Sequence, residues 1–175
     1  MPDSQKISEK QSEYMNLIAE IMDIRKRGEK PVAYIRTYGC QQNVADSEKI
    51  KGMLEQSGFE FSDEPDNADF ILFNTCAVRE HAEDRVFGNV GALKNLKRKH
   101  PQILIALCGC MMEQEHVANK IYKSFPFVEL VFGTHSLHHF PELMYNALLD
   151  GKRVFERGND CLLYTSPSPR DLSTS

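Results

Sequence analysis

From residue 31 onward the sequence alternates short, almost unbroken apolar runs with longer segments in which apolar residues recur at helical intervals, and no other feature restricts the fold as much. The spacing predicts strands over 32–38, 70–74, 103–107 and 128–132, with a further short strand within 58–61. It predicts helices over 46–57, 79–100, 113–124 and 136–150. A strand that is apolar at nearly every position must be covered on both of its faces. Strands of that kind alternating with helices imply a parallel sheet with helices on either side.

The expected class is therefore α/β, an open and mainly parallel sheet in a Rossmann-like three-layer arrangement. An amphipathic helix precedes it: Ser8 and Gln11 have capping-box spacing, Tyr14, Leu17, Ile18, Ile21 and Met22 follow at helical intervals, and Arg25-Lys26-Arg27-Gly28 supplies a cationic end and a stop. Its apolar stripe is expected to dock on the main domain rather than on a membrane. At 175 residues, 41% hydrophobic and 26% charged, the chain can fill one core but not two large ones. We divide it into a helical extension over 1–30, a single domain over 31–156, and a tail over 157–175. The tail ends TSPSPRDLSTS, buries too little to offset its ordering entropy, and is expected to be disordered and non-native. No apolar run approaches the ~18 residues of a membrane span, and the start lacks a secretory signal. The chain is thus expected in the cytoplasm, monomeric and without a membrane partner.

In a reducing compartment the five cysteines are expected as metal ligands or buried thiols rather than disulfides. Cys40, Cys76 and Cys110 each fall just beyond the carboxyl end of a predicted strand. Those ends share one edge of a parallel sheet, and neighbouring strands lie only ~4.8 Å apart, so the three thiols can converge. Soft thiolates select zinc, copper(I) or iron-sulfur clusters. Zinc favours a closed set of four, often from C-x-x-C pairs, and the chain has no such pair. Three cysteines on a four-iron cluster would leave one iron open. Buried, idle thiols remain the alternative at this point. Cys108, inside an apolar run and separated from Cys110 by a single residue, is expected to be such a thiol, and Cys161, beside the tail, is expected to be idle.

His81, five residues beyond Cys76, could complete a zinc site, giving a non-catalytic zinc- or redox-binding α/β module as the competing reading. His135, His138 and His139 fall near a predicted helix start and suit surface or capping roles. Lys94, Lys97, Arg98, Lys99 and His100 end a helix, where the helix dipole favours cations without any RNA. A net charge of -4 argues against this chain gripping RNA unaided, and no glycine-rich phosphate loop is present.

The residues around the three cysteines are more specific than their spacing. TYGCQQNVADSE (Thr37 to Glu48), FNTCAVREHAEDRVFGNVG (Phe73 to Gly91) and CGCM (Cys108 to Met111) resemble, in order and spacing, the signature segments of the amino-terminal domain of the tRNA methylthiotransferase family. The resemblance runs from about Val32 to Phe155. Ala77-Val78-Arg79-Glu80 resembles the branch acting on isopentenylated adenosine beside the anticodon. The resemblance implies that Cys40, Cys76 and Cys110 hold an auxiliary 4Fe-4S cluster, with a sulfur donor or methylthio species at its open iron. Asn43, Asp46 and Arg79 also match the motifs. Asp46 is expected near a helix N-terminus and Arg79 as a contact to the substrate or to the cluster ligands. A second 4Fe-4S cluster, S-adenosyl-L-methionine and most tRNA contacts are implied for a radical domain with a C-x-x-x-C-x-x-C motif and for an RNA-binding domain. Neither is found in this sequence, so the chain alone is expected to lack transferase activity.

Overall fold

A computed structural model describes residues 2–76 and 82–156. The apolar runs are strands: β1 (Val32–Thr37), β3 (Phe70–Thr75), β4 (Leu104–Gly109) and β5 (Leu130–Phe132), with the two-residue β2 (Glu60–Phe61) and a sixth strand, β6 (Val154–Glu156). They form one sheet in the order β2-β1-β3-β4-β5-β6, every neighbouring pair parallel. β3 and β4 are buried at all six positions each, as continuous apolar patterning requires of central strands. β6 has no counterpart among the expected strands, because three residues after a helix-ending glycine carry too little periodicity to read.

The helices are α1 (Pro2–Lys26), α2 (Gln41–Gln56), α3 (Ala82–Lys99), α4 (Glu115–Ser124) and α5 (Phe140–Asp150). One core lies between the sheet and α1, α2 and α5, drawing on Ile18, Met22, Ile50, Leu54, Phe70, Phe132 and Phe140. The other lies between the sheet and α3 and α4, drawing on Ile71, Val86, Val90, Leu107, Val117 and Ile121. The structure is thus the three-layer α/β arrangement that the strand pattern implies.

The leading helix docks through Met15, Ile18 and Met22, all buried. Each such side chain contributes about 1.5–3 kcal/mol by leaving water. Tyr14 packs on Tyr145 of α5 with ring centroids 5.3 Å apart, and the Arg25 guanidinium donates to the Leu148 carbonyl at 2.9 Å. α1 begins at Pro2 rather than at Ser8; proline suits a first helical position because its missing N–H is not needed there.

α2 starts five residues earlier than the Asp46 signal implies. Cys40 is its N-cap residue, and cysteine is not one of the side chains that mark helix starts in a sequence. Asp46 is therefore not an N-terminal residue but a buried one in the second turn. Between β4 and α4 the chain makes a 3-10 turn, Cys110–Glu113, and another, Thr134–His139, leads into α5.

Candidate metal centre

The connection from β1 goes to β2 on one side, and β3 lies on the other side of β1 and continues to β4. The order reverses between β1 and β3. In open α/β sheets the crevice outside the carboxyl ends at such a point is where ligands bind. Cys40 lies three residues past β1, Cys76 directly after β3 and Cys110 directly after β4, on three adjacent strands around that crevice.

Two glycines allow the close approach. Gly39 has φ +103°, and a Cβ there would lie 2.2 Å from Cys76 Cβ and 2.9 Å from Cys76 Sγ. Gly109 has φ +108°, and its Cβ would lie 2.1 Å from the Thr75 carbonyl oxygen. Only a residue without a side chain fits either place. Gly109 also separates Cys108 from Cys110. Residues two apart on a strand share a face, so periodicity alone would have kept the two thiols together. The strand ends at Gly109 instead, and the turn carries Cys110 out to the edge while Cys108 stays under α2.

A buried polar network braces this edge. Register places Thr37, Asn74 and Cys108 side by side across β1, β3 and β4. The Asn74 side-chain amide donates to the Asn43 carbonyl at 2.8 Å and to Ser47 Oγ at 3.0 Å. In return the Asn43 amide donates to Asn74 Oδ1 and to the Thr75 carbonyl, each at 3.0 Å. Thr37 and Ser47 hydroxyls meet at 2.7 Å, and the Thr75 hydroxyl donates to the Cys108 carbonyl at 2.7 Å. Every polar group used is paired, which suits a site that must keep its shape in a low dielectric. Asn43 is singled out by its motif. Ser47, Asn74 and Thr75 are not, although two polar residues closing the apolar run FILF are a readable signal.

The thiols differ sharply. Cys40 is exposed, its Sγ 3.2 Å from Asn43 Oδ1. The Asn43 amide N–H, then that of Gln42, lowers its pKa below the ordinary thiol value, with a smaller contribution from the Cys76 thiol beside it; slight burial opposes them. This is the usual effect of a helix N-terminus on a cysteine. Cys76 is buried. Cys110 is half-buried, with its Sγ 3.8 Å from the Thr75 carbonyl oxygen. Burial first, and the Asp46 carboxylate second, push the Cys108 pKa far upward, so this thiol stays protonated. Among the described residues no group of three or more His, Cys, Asp or Glu side chains is gathered as for a metal ion. Cys40 and Cys76 already adjoin, and Cys110 points to Thr75.

Asp46 accepts a hydrogen bond from Gln42 Nε2 at 3.0 Å. Both line an open cleft of about 940 Å³ between α1, α2 and the turn before α5, which also reaches Cys110 and His138. His135, His138 and His139 all lie in that turn, at the start of α5. Lys97, read from sequence as a dipole partner, also bonds the Ile103 carbonyl and the Glu129 carboxylate. Arg79, His81 and Cys161 lie outside the described residues.

Fold and edge together define a doubly wound parallel α/β domain that presents thiols at its topological switch point. The chain belongs to the family described as Uncharacterized protein family UPF0004, which matches residues 32–133. It is 49% identical over 135 residues to the tRNA-2-methylthio-N(6)-dimethylallyladenosine synthase of Clostridium perfringens, covering 77% of this chain and 30% of that protein. It is 52% identical over 135 residues to the enzyme of the same name from Caldicellulosiruptor saccharolyticus, covering 77% and 29%. The chain therefore spans about a third of the length of these curated relatives. Both names agree with the methylthiotransferase resemblance carried by the three cysteine segments. No helix among the described residues is long and apolar enough to cross a membrane.

Proposed function

We propose that this chain is the auxiliary-cluster domain of a cytoplasmic tRNA methylthiotransferase, holding a 4Fe-4S cluster through Cys40, Cys76 and Cys110. The observation that carries the reading is that the three cysteines leave the carboxyl ends of three adjacent parallel strands around one switch-point crevice. The donor set fits. Thiolates are the ligands such clusters take, Cys40 is held toward its thiolate by α2, and the Gly39 cradle keeps Cys76 beside it. Closing the set requires Cys110 to give up the Thr75 carbonyl. Bound by three thiolates, the cluster would supply one iron with an exchangeable position at which a sulfur species can be presented.

The surrounding residues fix and shelter that position. Asn43 ties the first turn of α2 to β3, so Cys40 and Cys76 move as one unit. Cys108 is kept neutral beneath the edge and takes no part. Asp46 and Gln42 face the cleft that leads to Cys110, and Asp46 and Arg79 are our candidates for contacts to the incoming substrate. The substrate of the whole protein, in this reading, is isopentenylated adenosine beside the tRNA anticodon. Radical activation of the adenine C–H bond, with its own cluster and S-adenosyl-L-methionine, belongs to a domain beyond the present sequence.

Anaerobic reconstitution with iron and sulfide tests the assignment. About one brown 4Fe-4S cluster per chain is expected. Alanine at Cys40, Cys76 or Cys110 should abolish it, and Cys108→Ala should not. Equal iron loss in Cys108→Ala would overturn the ligand set. A colourless protein with stoichiometric zinc, lost on replacing His81, would establish the zinc module instead.

A further inference from the structure

Beside the thiol edge, on the sheet face covered by α3 and α4, lies a cationic and aromatic patch that the cluster does not use. Tyr34, Arg36 and Tyr38 alternate along β1 and its extension, so all three project to this face. Only the two-residue β2 lies beyond β1, and α3 packs over β3 and β4, so Arg36 and Tyr38 remain half-exposed.

Tyr38 is held rigidly. Its ring meets Phe73 edge-on at 5.8 Å, its amide donates to the Asn74 carbonyl at 2.7 Å, and its hydroxyl accepts from the Asn89 amide at 2.8 Å. That hydroxyl's own proton has no acceptor among the described residues. Two guanidiniums sit over the same ring, Arg36 at 4.9 Å and Arg85 at 6.0 Å from the centroid. Neither forms an ion pair with a carboxylate among the described residues. The nearby acidic Glu83 is turned away, 3.0 Å from His116 of α4.

Two guanidiniums over one tyrosine, neither paired with a carboxylate among the described residues, form a cluster of donors that phosphate oxygens can accept from. Brought over one ring, the two guanidiniums offer an anionic partner a local site in a chain whose net charge is -4. Tyr38 is two residues from Cys40, so a strand of nucleic acid lying on the patch would pass the thiol edge. We propose that Arg36, Tyr38 and Arg85 form a contact surface for single-stranded RNA, gripping the backbone of the substrate loop next to the cluster. The two arginines bind phosphates, and the guanidiniums beside the Tyr38 ring offer a flanking base planar partners. The choice of RNA rests on the proposed function; the patch itself does not.

The test is fluorescence anisotropy of the 175-residue chain with a labelled hairpin RNA, from low to moderate salt, against a fully paired RNA of equal length. Wild type is expected to prefer the hairpin. Arg36→Gln/Arg85→Gln is expected to weaken binding by at least about tenfold at low salt and to reduce the log–log salt slope by about 1.4, two single-strand phosphates at ~0.7 each. Arg85→Gln alone, on an exposed helix position, should remove about half of that slope and keeps the test valid if the sheet position proves intolerant. Identical affinity and slope in wild type and variants overturns the proposal. So does an absence of RNA binding at low salt. Iron loading in the same variants should be unchanged, so failure of the patch and failure of the cluster reading are told apart.

Discussion

Replacing the glycines of the thiol edge with alanine tests how strongly backbone conformation and close strand approach require them. Gly58 is the reference, because it has φ +90° and nothing within 4 Å of the place a Cβ would take. Gly58→Ala should therefore cost only the left-handed conformation, about 1–2 kcal/mol. Gly109, at φ +108° and ψ 178°, holds a backbone conformation essentially restricted to glycine and costing about 1–3 kcal/mol for alanine, and the new Cβ would also fall 2.1 Å from the Thr75 carbonyl oxygen and 2.7 Å from its nitrogen. Both are backbone atoms of a central strand and cannot rotate aside. Relief requires β4 to part from β3, which adds about 1–3 kcal/mol of overpacking. It also loosens the Thr75 hydroxyl bond to the Cys108 carbonyl, worth about 1 kcal/mol. The sum, about 3–7 kcal/mol, rivals the whole stability of a domain of this size. Gly39→Ala should fall between the two, because its contacts with Cys76 are equally close but lie in a loop that can shift. Urea unfolding of the three variants measures the order, and iron uptake of the folded ones reports the site. A Gly109→Ala variant no less stable than Gly58→Ala would refute the argument that backbone conformation and close strand approach together require glycine there.

The same geometry sets two more expectations. Iodoacetamide labelling of the metal-free chain should modify Cys40 first and continue to do so as pH falls below the ordinary thiol range, because its pKa is lowered and a thiolate fraction survives; Cys108, shifted the opposite way, should label only on unfolding. Peptide mapping against pH checks this, and native labelling of Cys108 at the Cys40 rate contradicts it. Arg153→Ala should destabilise the chain by about 2–3 kcal/mol, since its guanidinium donates to the carbonyls of Val128, Tyr122, Phe125 and Ile121 and packs against the touching rings of Tyr122 and Phe155. Arg153→Lys should recover less than half of the loss in the same unfolding assay, because an ammonium cannot reproduce the fork.

Much of this architecture is legible in the residues. FILFNT and ILIALCG are apolar at consecutive positions, and only a strand covered on both faces accommodates that, so β3 and β4 follow from patterning alone. The leading stripe of Tyr14, Ile18 and Met22 likewise declares a helix with one face to bury. The start of α2 is less legible because Asp46 and Ser47 resemble a helix start. They are instead drawn inside by Gln42, Thr37 and Asn74, the last two from strands β1 and β3.

Local patterning suffices to place three cysteines after three strands, since strand and turn signals are read within a few residues. Long-range packing is what sets β1 next to β3 and not at the far side of the sheet, brings Asn43 to Asn74, and lets Gly109 send Cys110 outward while Cys108 remains under α2. Strand order and register depend on which faces bury the most apolar surface together and which buried polar groups find partners. Those quantities belong to pairs of segments distant in sequence, and no local window contains them.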